Sequence, residues 1–203
     1  MLRPGGYMTV VVKNLLIINA LVFIATNILN LGGLSERLVL YAPTNDNFSP
    51  YQFVTYMFMH GGFSHILFNM LGLWMFGSEI EYRLGPQKFL TYYIVCGLGA
   101  AALHFGLDYA IQGNSSSVLL GASGAVFGLL AAYGMLFPNN IIMPLFPPIP
   151  MKAKYFVMIY GAIELFAGVR NVSGDNTAHF AHLGGAVTGV ILMLIWRQRG
   201  ELN

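Results

Sequence analysis

Six apolar segments, each close to the length that crosses a bilayer, constrain this chain more than any other feature. A membrane-spanning helix needs about 20 predominantly apolar residues. Only 9% of the 203 residues are charged, against roughly 25% in water-soluble domains. We therefore predict an all-α membrane protein, a six-transmembrane-helix bundle in a single domain covering residues 1–203. The predicted spans are residues 10–31, 65–82, 89–107, 121–137, 155–169 and 178–196.

Two of the connections between these segments have compositions of their own. Residues 32–64 form a long first loop whose second half is rich in aromatic side chains, which is typical of a segment lying on the membrane surface. Residues 138–150 hold five prolines and cannot be helical throughout. The first apolar segment is long enough to remain as an anchor, so no cleaved signal peptide is expected.

Charge and cysteine content exclude several classes of function and give an orientation. The single Cys96 lies in an apolar segment, which argues against a disulfide framework or a thiolate metal site. A net charge of +2 is too small to indicate nucleic-acid binding. With six spans, most basic residues fall on one side, so we predict that both termini are cytoplasmic. That side receives Arg3, Lys13, Arg83, Lys88, Lys152, Lys154, Arg197 and Arg199, and the other receives Arg37 and Arg170.

Four polar side chains within the apolar segments share one depth. His65 and Asn69, four residues apart, lie on one face of the second predicted helix. Ser123 lies near the start of the fourth helix and His182 near the start of the sixth. These three helices begin on the outer side, which puts all four residues roughly 5–10 Å below the outer surface. Polar residues inside a membrane are costly and by default functional, although any one of these could merely bond neighbouring helices.

Ser123 is flanked by Gly121 and Gly124. Glycines let other groups approach the hydroxyl, and the helix-compatible residues that follow put Ser123 at or near a helix N-terminus, where a developing negative charge is favoured. The alternative is that these glycines, with Gly128, serve only close helix packing. From Gly124 onward the helix is only about 21 Å long, short of the roughly 30 Å hydrocarbon core. We therefore expect it to start below the outer surface, with residues 114–117 dipping inward towards a wetted cavity.

Three short motifs surround these polar residues. They are His60-Gly61-Gly62-Phe63-Ser64-His65-Ile66-Leu67-Phe68-Asn69, Gly121-Ala122-Ser123-Gly124 and Ala181-His182-Leu183-Gly184-Gly185. Together they resemble the signatures of the rhomboid family of intramembrane serine proteases. The resemblance covers nearly the whole chain, including the six-helix core of bacterial members. Residues 81–85, Glu-Tyr-Arg-Leu-Gly, are similar to the family's structural motif at the cytoplasmic end of the second span.

The resemblance implies a role for each of these residues. Ser123 is expected to be the nucleophile and His182 its general base. His65, Asn69 and the backbone N–H of Ser123 are expected to bind the oxyanion. Phe127 matches an aromatic position that packs against the catalytic histidine. The expected supporting glycines are Gly121, Gly124 and Gly185.

The reaction that the resemblance implies is peptide-bond hydrolysis through an acyl-enzyme, with no cofactor and no metal. The implied substrates are single-span membrane proteins cut near their extracytoplasmic end, where the helix unwinds easily, and the lipid bilayer is the other partner. The implied location is the bacterial cytoplasmic (inner) membrane. One departure is visible, because this chain has Tyr51-Gln52 where several relatives have Trp-Arg in the first loop. That affects how the loop anchors to lipid rather than the chemistry.

Two other functions remain open at this point. His60 and His179 lie close to the motif histidines and could belong to a metal site, although no carboxylate of a helical zinc motif accompanies them. A rhomboid-like protein that binds membrane segments without cleaving them is the other alternative, and the presence of both Ser123 and His182 argues against it. For His104, in the third span, we expect a packing or interfacial role.

Glu164 is the acidic residue that lies well inside an outer-half span, about 9 Å deep and level with His182. A catalytic triad needs this carboxylate to hold the His182 imidazole. Rhomboids resemble one another in using a serine–histidine dyad, so we expect Glu164 instead to join the fifth helix to a neighbour. On that expectation, Glu164→Gln keeps cleavage within about tenfold of wild type, far above the loss that follows removal of a true triad acid.

Overall fold

The computed structural model describes residues 8–113, 117–145, 147–170 and 178–202. Most of these residues are helical, and each of the six predicted spans contains helix. In chain order the helices are α1 (Val10–Phe23), α2 (Leu34–Leu38), α3 (Gln52–Thr55), α4 (Phe63–Gly72), α5 (Ser78–Leu84), α6 (Pro86–Gln112), α7 (Ser123–Leu136), α8 (Ala153–Arg170) and α9 (His179–Gln198).

Irregular turns connect some of these helices. A π-helical turn, Ile24–Ile28, extends α1, and a second, Leu73–Gly77, joins α4 to α5. Within the described ranges, three helical stretches are long and apolar enough to cross a membrane, namely Val10–Ile28, Pro86–Ile111 and His179–Gln198. These stretches support a helical membrane protein, and the count of six spans stays a prediction.

Two short antiparallel ladders accompany the helices. β1 (Leu40–Tyr41) pairs with β2 (Val118–Leu119). Close by, the N–H of Gly121 donates to the carbonyl oxygen of Tyr56 at 2.9 Å. These contacts attach the first loop to the segment that leads into α7. Most of the predicted inward dip, residues 114–116, lies outside the described residues.

The second ladder lies at the ends of the proline-rich connection. β3 (Ile141–Ile142) pairs with β4 (Met151–Lys152). The described residues between α7 and α8 contain no helix. This confirms the prediction from the prolines, which lack the N–H that a helix interior requires.

α6, α7 and α9 pack together at the centre of the bundle. Most residues of α7 are buried, as expected for a helix that is apolar around its whole circumference. A Cβ on Gly185 of α9 would collide with the carbonyl oxygen of Gly124 in α7, and a Cβ on Gly124 would collide with Ala100 of α6. Gly124 therefore serves close helix packing as well as giving space beside Ser123.

Glu81, in the middle of α5, binds the start of α1. Its carboxylate accepts hydrogen bonds from the hydroxyl of Thr9 at 2.5 Å and from the N–H groups of Val11 and Val12 at 3.0 and 2.9 Å. The first N–H groups of a helix lack partners within the helix and form its positive pole. A buried carboxylate is stable at this position for that reason, and it joins α1 to α5.

Residues 201 and 202 contact the end of the bundle at which α1 begins. Arg83 donates to the carbonyl oxygen of Leu202 at 3.1 Å, and Lys88 forms a 3.1 Å ion pair with Glu201. The start of α1 and the end of the chain therefore lie beside basic residues that we predict to be cytoplasmic. Arg3, another residue in that prediction, lies outside the described residues.

Gln52 organises the first loop. Its side chain is buried, with 1% of the residue exposed, whereas 52% of the neighbouring Tyr51 is exposed. The amide oxygen accepts two backbone N–H groups and the amide nitrogen donates to two carbonyl oxygens. These groups belong to Arg37, Tyr41, Asn47 and Ser49, at 3.1–3.4 Å. Gln52 thus binds the loop to itself, while Tyr51 faces outward.

Candidate active site

Ser123 is the first residue of α7, which confirms its predicted place at a helix N-terminus. The backbone before it passes through Gly121, whose φ of +118° is rarely adopted by residues with a side chain. Space demands glycine as well, because a Cβ there would lie 2.7 Å from Nε2 of His65 and 3.6 Å from Oγ of Ser123. The hydroxyl therefore lies at the helix pole that stabilises anions, with no side chain crowding it from Gly121.

His182, in the first turn of α9, faces this serine. Its Nε2 lies 2.8 Å from Oγ of Ser123, a hydrogen-bond distance. The ring of Phe127 stacks on the imidazole with centroids 4.4 Å apart and planes inclined by 8°. Phe127 lies one turn beyond Ser123, so α7 supplies both the hydroxyl and the surface that orients the imidazole. The structure brings together two residues that the sequence placed in separate motifs.

His65 adds a second imidazole, from α4. The backbone N–H of Gly61 donates to its Nδ1 at 3.3 Å. In a neutral ring this assigns the proton to Nε2, which is thereby a donor. Nε2 is also the His65 atom closest to the position that a Cβ of Gly121 would take, beside Ser123. His65 therefore directs a donor towards the space around the serine hydroxyl.

Asn69 lies one turn further along α4 and is buried. Its amide nitrogen donates to the carbonyl oxygen of His65 at 3.0 Å. An amide group has two hydrogens, so this bond holds the side chain along the helix while a second hydrogen remains for another acceptor. The assignment of Asn69 to the oxyanion site stays a prediction.

Glu164 joins α8 to a neighbouring helix, α9, which confirms one part of the expectation. The other part, that it does not contact the catalytic histidine, is wrong. Instead Oε2 lies 2.9 Å from Nδ1 of His182 and 2.7 Å from Nδ1 of His179. Ser123, His182 and Glu164, called the Ser123 cluster below, thus form a continuous hydrogen-bonded row. Depth put Glu164 at the right level, but an apolar helix gives no pattern from which the direction of one side chain follows.

Glu164, His179 and His182 are also close enough to share one metal ion. The sequence missed this group because its carboxylate comes from a different helix rather than from a local zinc motif. Tetrahedral zinc, with bonds of about 2.0–2.1 Å, keeps its ligand atoms about 3.3 Å apart. The separations of 2.7 and 2.9 Å are instead those of direct hydrogen bonds. The geometry therefore favours a shared proton network over a metal centre.

His60, the other histidine considered for a metal site, packs against His65 with ring centroids 5.0 Å apart. Only 1% of His60 is exposed. Burial lowers the pKa of His60 to about 4, and the neighbouring His65 adds to the shift. His60 is therefore neutral at physiological pH and supports the ring of His65.

A second group of serine, histidine and acid lies towards the C-terminal end of α6. Ser117 donates its hydroxyl to Oδ2 of Asp108 at 2.6 Å. Nε2 of His104 lies 3.2 Å from the same hydroxyl and 3.9 Å from Oδ2. We call these three residues the α6 cluster. The sequence indicated only a packing or interfacial role for His104, and its spacing of four residues from Asp108 was the signal that could have found the cluster.

The sequence of the chain also matches a family model and several known proteins. A family model described as the Rhomboid domain matches residues 47–199. The chain is 29% identical over 198 residues to RHOMBOID-like protein 12, mitochondrial, of Arabidopsis thaliana, covering 89% of this chain and 56% of that protein. It is 27% identical over 150 residues to Rhomboid protease AarA of Providencia stuartii, covering 69% and 53%. It is 32% identical over 144 residues to Rhomboid-type serine protease 2 of Emericella nidulans, covering 71% and 26%. The chain thus spans 56% or less of the length of each of these relatives.

Proposed function

The chain belongs to the rhomboid family, and on this basis we propose that it is an intramembrane serine endopeptidase. Its substrates are single-span membrane proteins, which it cuts near their extracytoplasmic end. The observation that carries this proposal is the 2.8 Å separation between Nε2 of His182 and Oγ of Ser123 at the start of α7. The relatives from P. stuartii and E. nidulans, both named as proteases, support the same reaction.

The reaction begins when Oγ of Ser123 attacks the scissile carbonyl carbon and Nε2 of His182 accepts the hydroxyl proton. The electron pair of the C=O bond moves to the oxygen and gives a tetrahedral oxyanion. As this intermediate collapses, the C–N bond breaks, His182 gives its proton to the leaving amine, and the acyl group stays on Oγ. Water then attacks the ester with His182 again as base, which releases the acid and restores Ser123.

The oxyanion is held by the backbone N–H of Ser123, Nε2–H of His65 and the amide of Asn69. Donors that are in place before the reaction are most effective in a site of low dielectric constant, because no reorganisation is needed as charge develops. Two contacts support this assignment. The Gly61 N–H leaves the ring proton of His65 on Nε2, and the bond from Asn69 to the His65 carbonyl holds the amide along the same helix.

The protein lies in a bacterial inner membrane with six spans and both termini in the cytoplasm. The excess of basic residues on one side supports this orientation, and so does the meeting of Arg83 and Lys88 with the chain end. Since α7 has only 14 residues, its N-terminal serine falls below the outer surface. A transmembrane substrate has its peptide groups bonded within its own helix, so cleavage requires local unwinding near that surface.

The proposal is tested with the full chain purified in detergent and incubated with a generic single-span membrane protein. Wild type should cleave and Ser123→Ala should not, while a fluorophosphonate should label Ser123 covalently. A metal chelator should leave the rate unchanged. Loss of activity in chelator, with recovery on adding zinc, would replace the serine mechanism with a metal mechanism at the histidines.

A further inference from the structure

We propose that Glu164 is a positioning residue that completes a serine–histidine–glutamate triad by fixing the proton and the orientation of His182. This inference rests on the proposed function, since it concerns the base that activates Ser123. It differs from the dyad that the family resemblance implies, and it comes from the contacts of one side chain on α8.

The carboxylate of Glu164 lies opposite the nucleophile across the imidazole ring. Oγ of Ser123 is 2.8 Å from Nε2 of His182, and Oε2 of Glu164 is 2.9 Å from Nδ1 of the same ring. The side chains of Glu164, His179 and His182 are only 12–14% exposed, so water competes little for these bonds. The two nitrogens of the His182 ring are therefore held by protein groups from two different helices, Nε2 by α7 and Nδ1 by α8.

The charge of the carboxylate decides where the ring protons lie. An ionised carboxylate accepts hydrogen bonds and cannot donate them. Oε2 bonds to both His179 and His182, so each of these rings carries its proton on Nδ1. In His182 this leaves the lone pair of Nε2 facing the Ser123 hydroxyl, which is the state that a general base requires. The imidazolium that forms when Nε2 takes the serine proton then lies beside a negative charge and is stabilised.

His179 gives the carboxylate a second donor. Its Nδ1 lies 2.7 Å from the same Oε2, and its ring meets the ring of His182 at 87° with centroids 6.4 Å apart. Two donors on one oxygen favour the ionised form of the carboxylate and fix its position between the two rings. Both histidines lie in the first turn of α9, so Glu164 also attaches α8 to the start of that helix.

The test compares single-turnover cleavage by wild type, Glu164→Gln and Glu164→Asp. A glutamine amide can donate to Nδ1 of His182, which moves the ring proton to Nε2 and removes the base. The equivalent change in other serine proteases lowers kcat about 10⁴-fold, so we expect a loss of at least about 10³-fold. Glu164→Asp restores a carboxylate and should recover part of the rate. Asp108→Asn is the matched control, because it makes the same chemical change in the α6 cluster and should cleave like wild type.

Two readouts separate positioning from a purely structural role. The rate of fluorophosphonate labelling at Ser123 should fall in parallel with cleavage in Glu164→Gln while the thermal midpoint stays close to that of wild type. In wild-type protein, ¹⁵N NMR of histidine should show His182 protonated on Nδ1 at neutral pH. This second measurement needs no variant, and the chemical shift of that Nδ1 proton, which a hydrogen bond to a carboxylate moves downfield, tests the Glu164 contact even where Glu164→Gln does not fold.

The outcomes distinguish this inference from the proposed function. Cleavage by Ser123→Ala would overturn the serine mechanism itself. With Ser123→Ala inactive, a folded Glu164→Gln protein that cleaves within about tenfold of wild type would overturn the triad and leave a dyad. In an active wild-type enzyme, an Nδ1 proton of His182 without that downfield shift would overturn the triad as well.

Discussion

The Ser123 cluster and the α6 cluster contain the same three kinds of side chain but arrange them differently around the imidazole. In the Ser123 cluster the hydroxyl and the carboxylate bond to opposite nitrogens of His182. In the α6 cluster the hydroxyl and the carboxylate both lie at Nε2 of His104, and Ser117 donates directly to Asp108. The first arrangement lets the hydroxyl proton move to the ring, whereas the second commits it to the carboxylate.

The backbone around the two serines differs as well. Ser123 begins a helix beside Gly121, where the helix pole and the Nε2–H of His65 favour an oxyanion. Ser117 immediately precedes β2, and its hydrogen bond returns that segment to α6. The α6 cluster therefore has the geometry of an attachment between loop and helix. An active serine therefore needs more than the right residue types. The hydroxyl and the carboxylate must lie at opposite nitrogens of the imidazole, and the surroundings must stabilise an oxyanion.

The largest expected difference between the clusters concerns the two serines. Ser123→Ala should lower the single-turnover cleavage rate by about 10⁶, the loss that follows removal of a serine nucleophile elsewhere. Ser117→Ala should cleave at nearly the wild-type rate, because its hydroxyl serves attachment. Both rates are measured on the same single-span substrate in detergent. Equal losses in two folded variants would mean that the clusters share the chemistry.

The next prediction concerns oxyanion binding, which we assign to the Ser123 N–H and to two residues beside the Ser123 cluster, His65 and Asn69. Asn69→Ala should lower the rate about 10²- to 10³-fold, because His65 and the Ser123 N–H remain as donors. Changing His65 and Asn69 to alanine together should cost far more than Asn69→Ala. His104→Asn, in the α6 cluster, serves as the control and should keep most of the activity. A folded Asn69→Ala protein as inactive as Ser123→Ala would show that Asn69 does more than donate one hydrogen bond.

Acid should affect the surroundings of the Ser123 cluster, where four of the five histidines of the chain lie. The pKa of His60 is about 4 in the folded protein and about 6.5 in an unfolded chain. Between these values the unfolded chain binds a proton that the folded protein does not. The stability is therefore complete above about pH 6.5 and falls by roughly 3 kcal/mol as the pH approaches 4.

This pH dependence is measured as the thermal midpoint of wild type and of His60→Phe between pH 8 and pH 4. Phenylalanine keeps an aromatic ring against His65 and cannot titrate, so the midpoint of the variant should fall less steeply. Identical slopes for the two proteins would mean that His60 is protonated as easily in the folded protein as in the unfolded chain.

The smallest effect is expected from the aromatic neighbours of the two imidazoles. Phe127 stacks flat on His182, whereas Phe105 meets His104 edge-on at 64°. Aromatic pairs of this kind contribute about 1 kcal/mol, so Phe127→Leu should slow cleavage about fivefold. Phe105→Leu should change the midpoint of unfolding but not the rate per folded molecule. A reversed pattern would contradict the assignment of His182 as base.

The sequence predicted the helices better than it predicted the contacts between them. Each predicted apolar segment contains helix, and the short fourth span put Ser123 at the start of α7, whereas α2 and α3 of the first loop were not predicted. The direction of Glu164 could not be predicted, because α8 is apolar around its circumference and its rotation depends on its neighbours. The hydrogen bonds of Gln52 join residues up to 15 apart in an irregular loop, and no periodic pattern reports such contacts.

The meeting of Gly185 with the carbonyl oxygen of Gly124 has a consequence for how the family diverges. It sets how closely the backbones of α7 and α9 approach, and with it the separation of the two backbones that carry Ser123 and His182. Surfaces that face lipid can therefore drift through many neutral substitutions while this distance is inherited unchanged. A lineage that abandoned proteolysis would still need glycine here, because a methyl group would separate α7 from α9. Divergence in such a descendant should therefore appear at Ser123 and His182 before it appears at these two glycines.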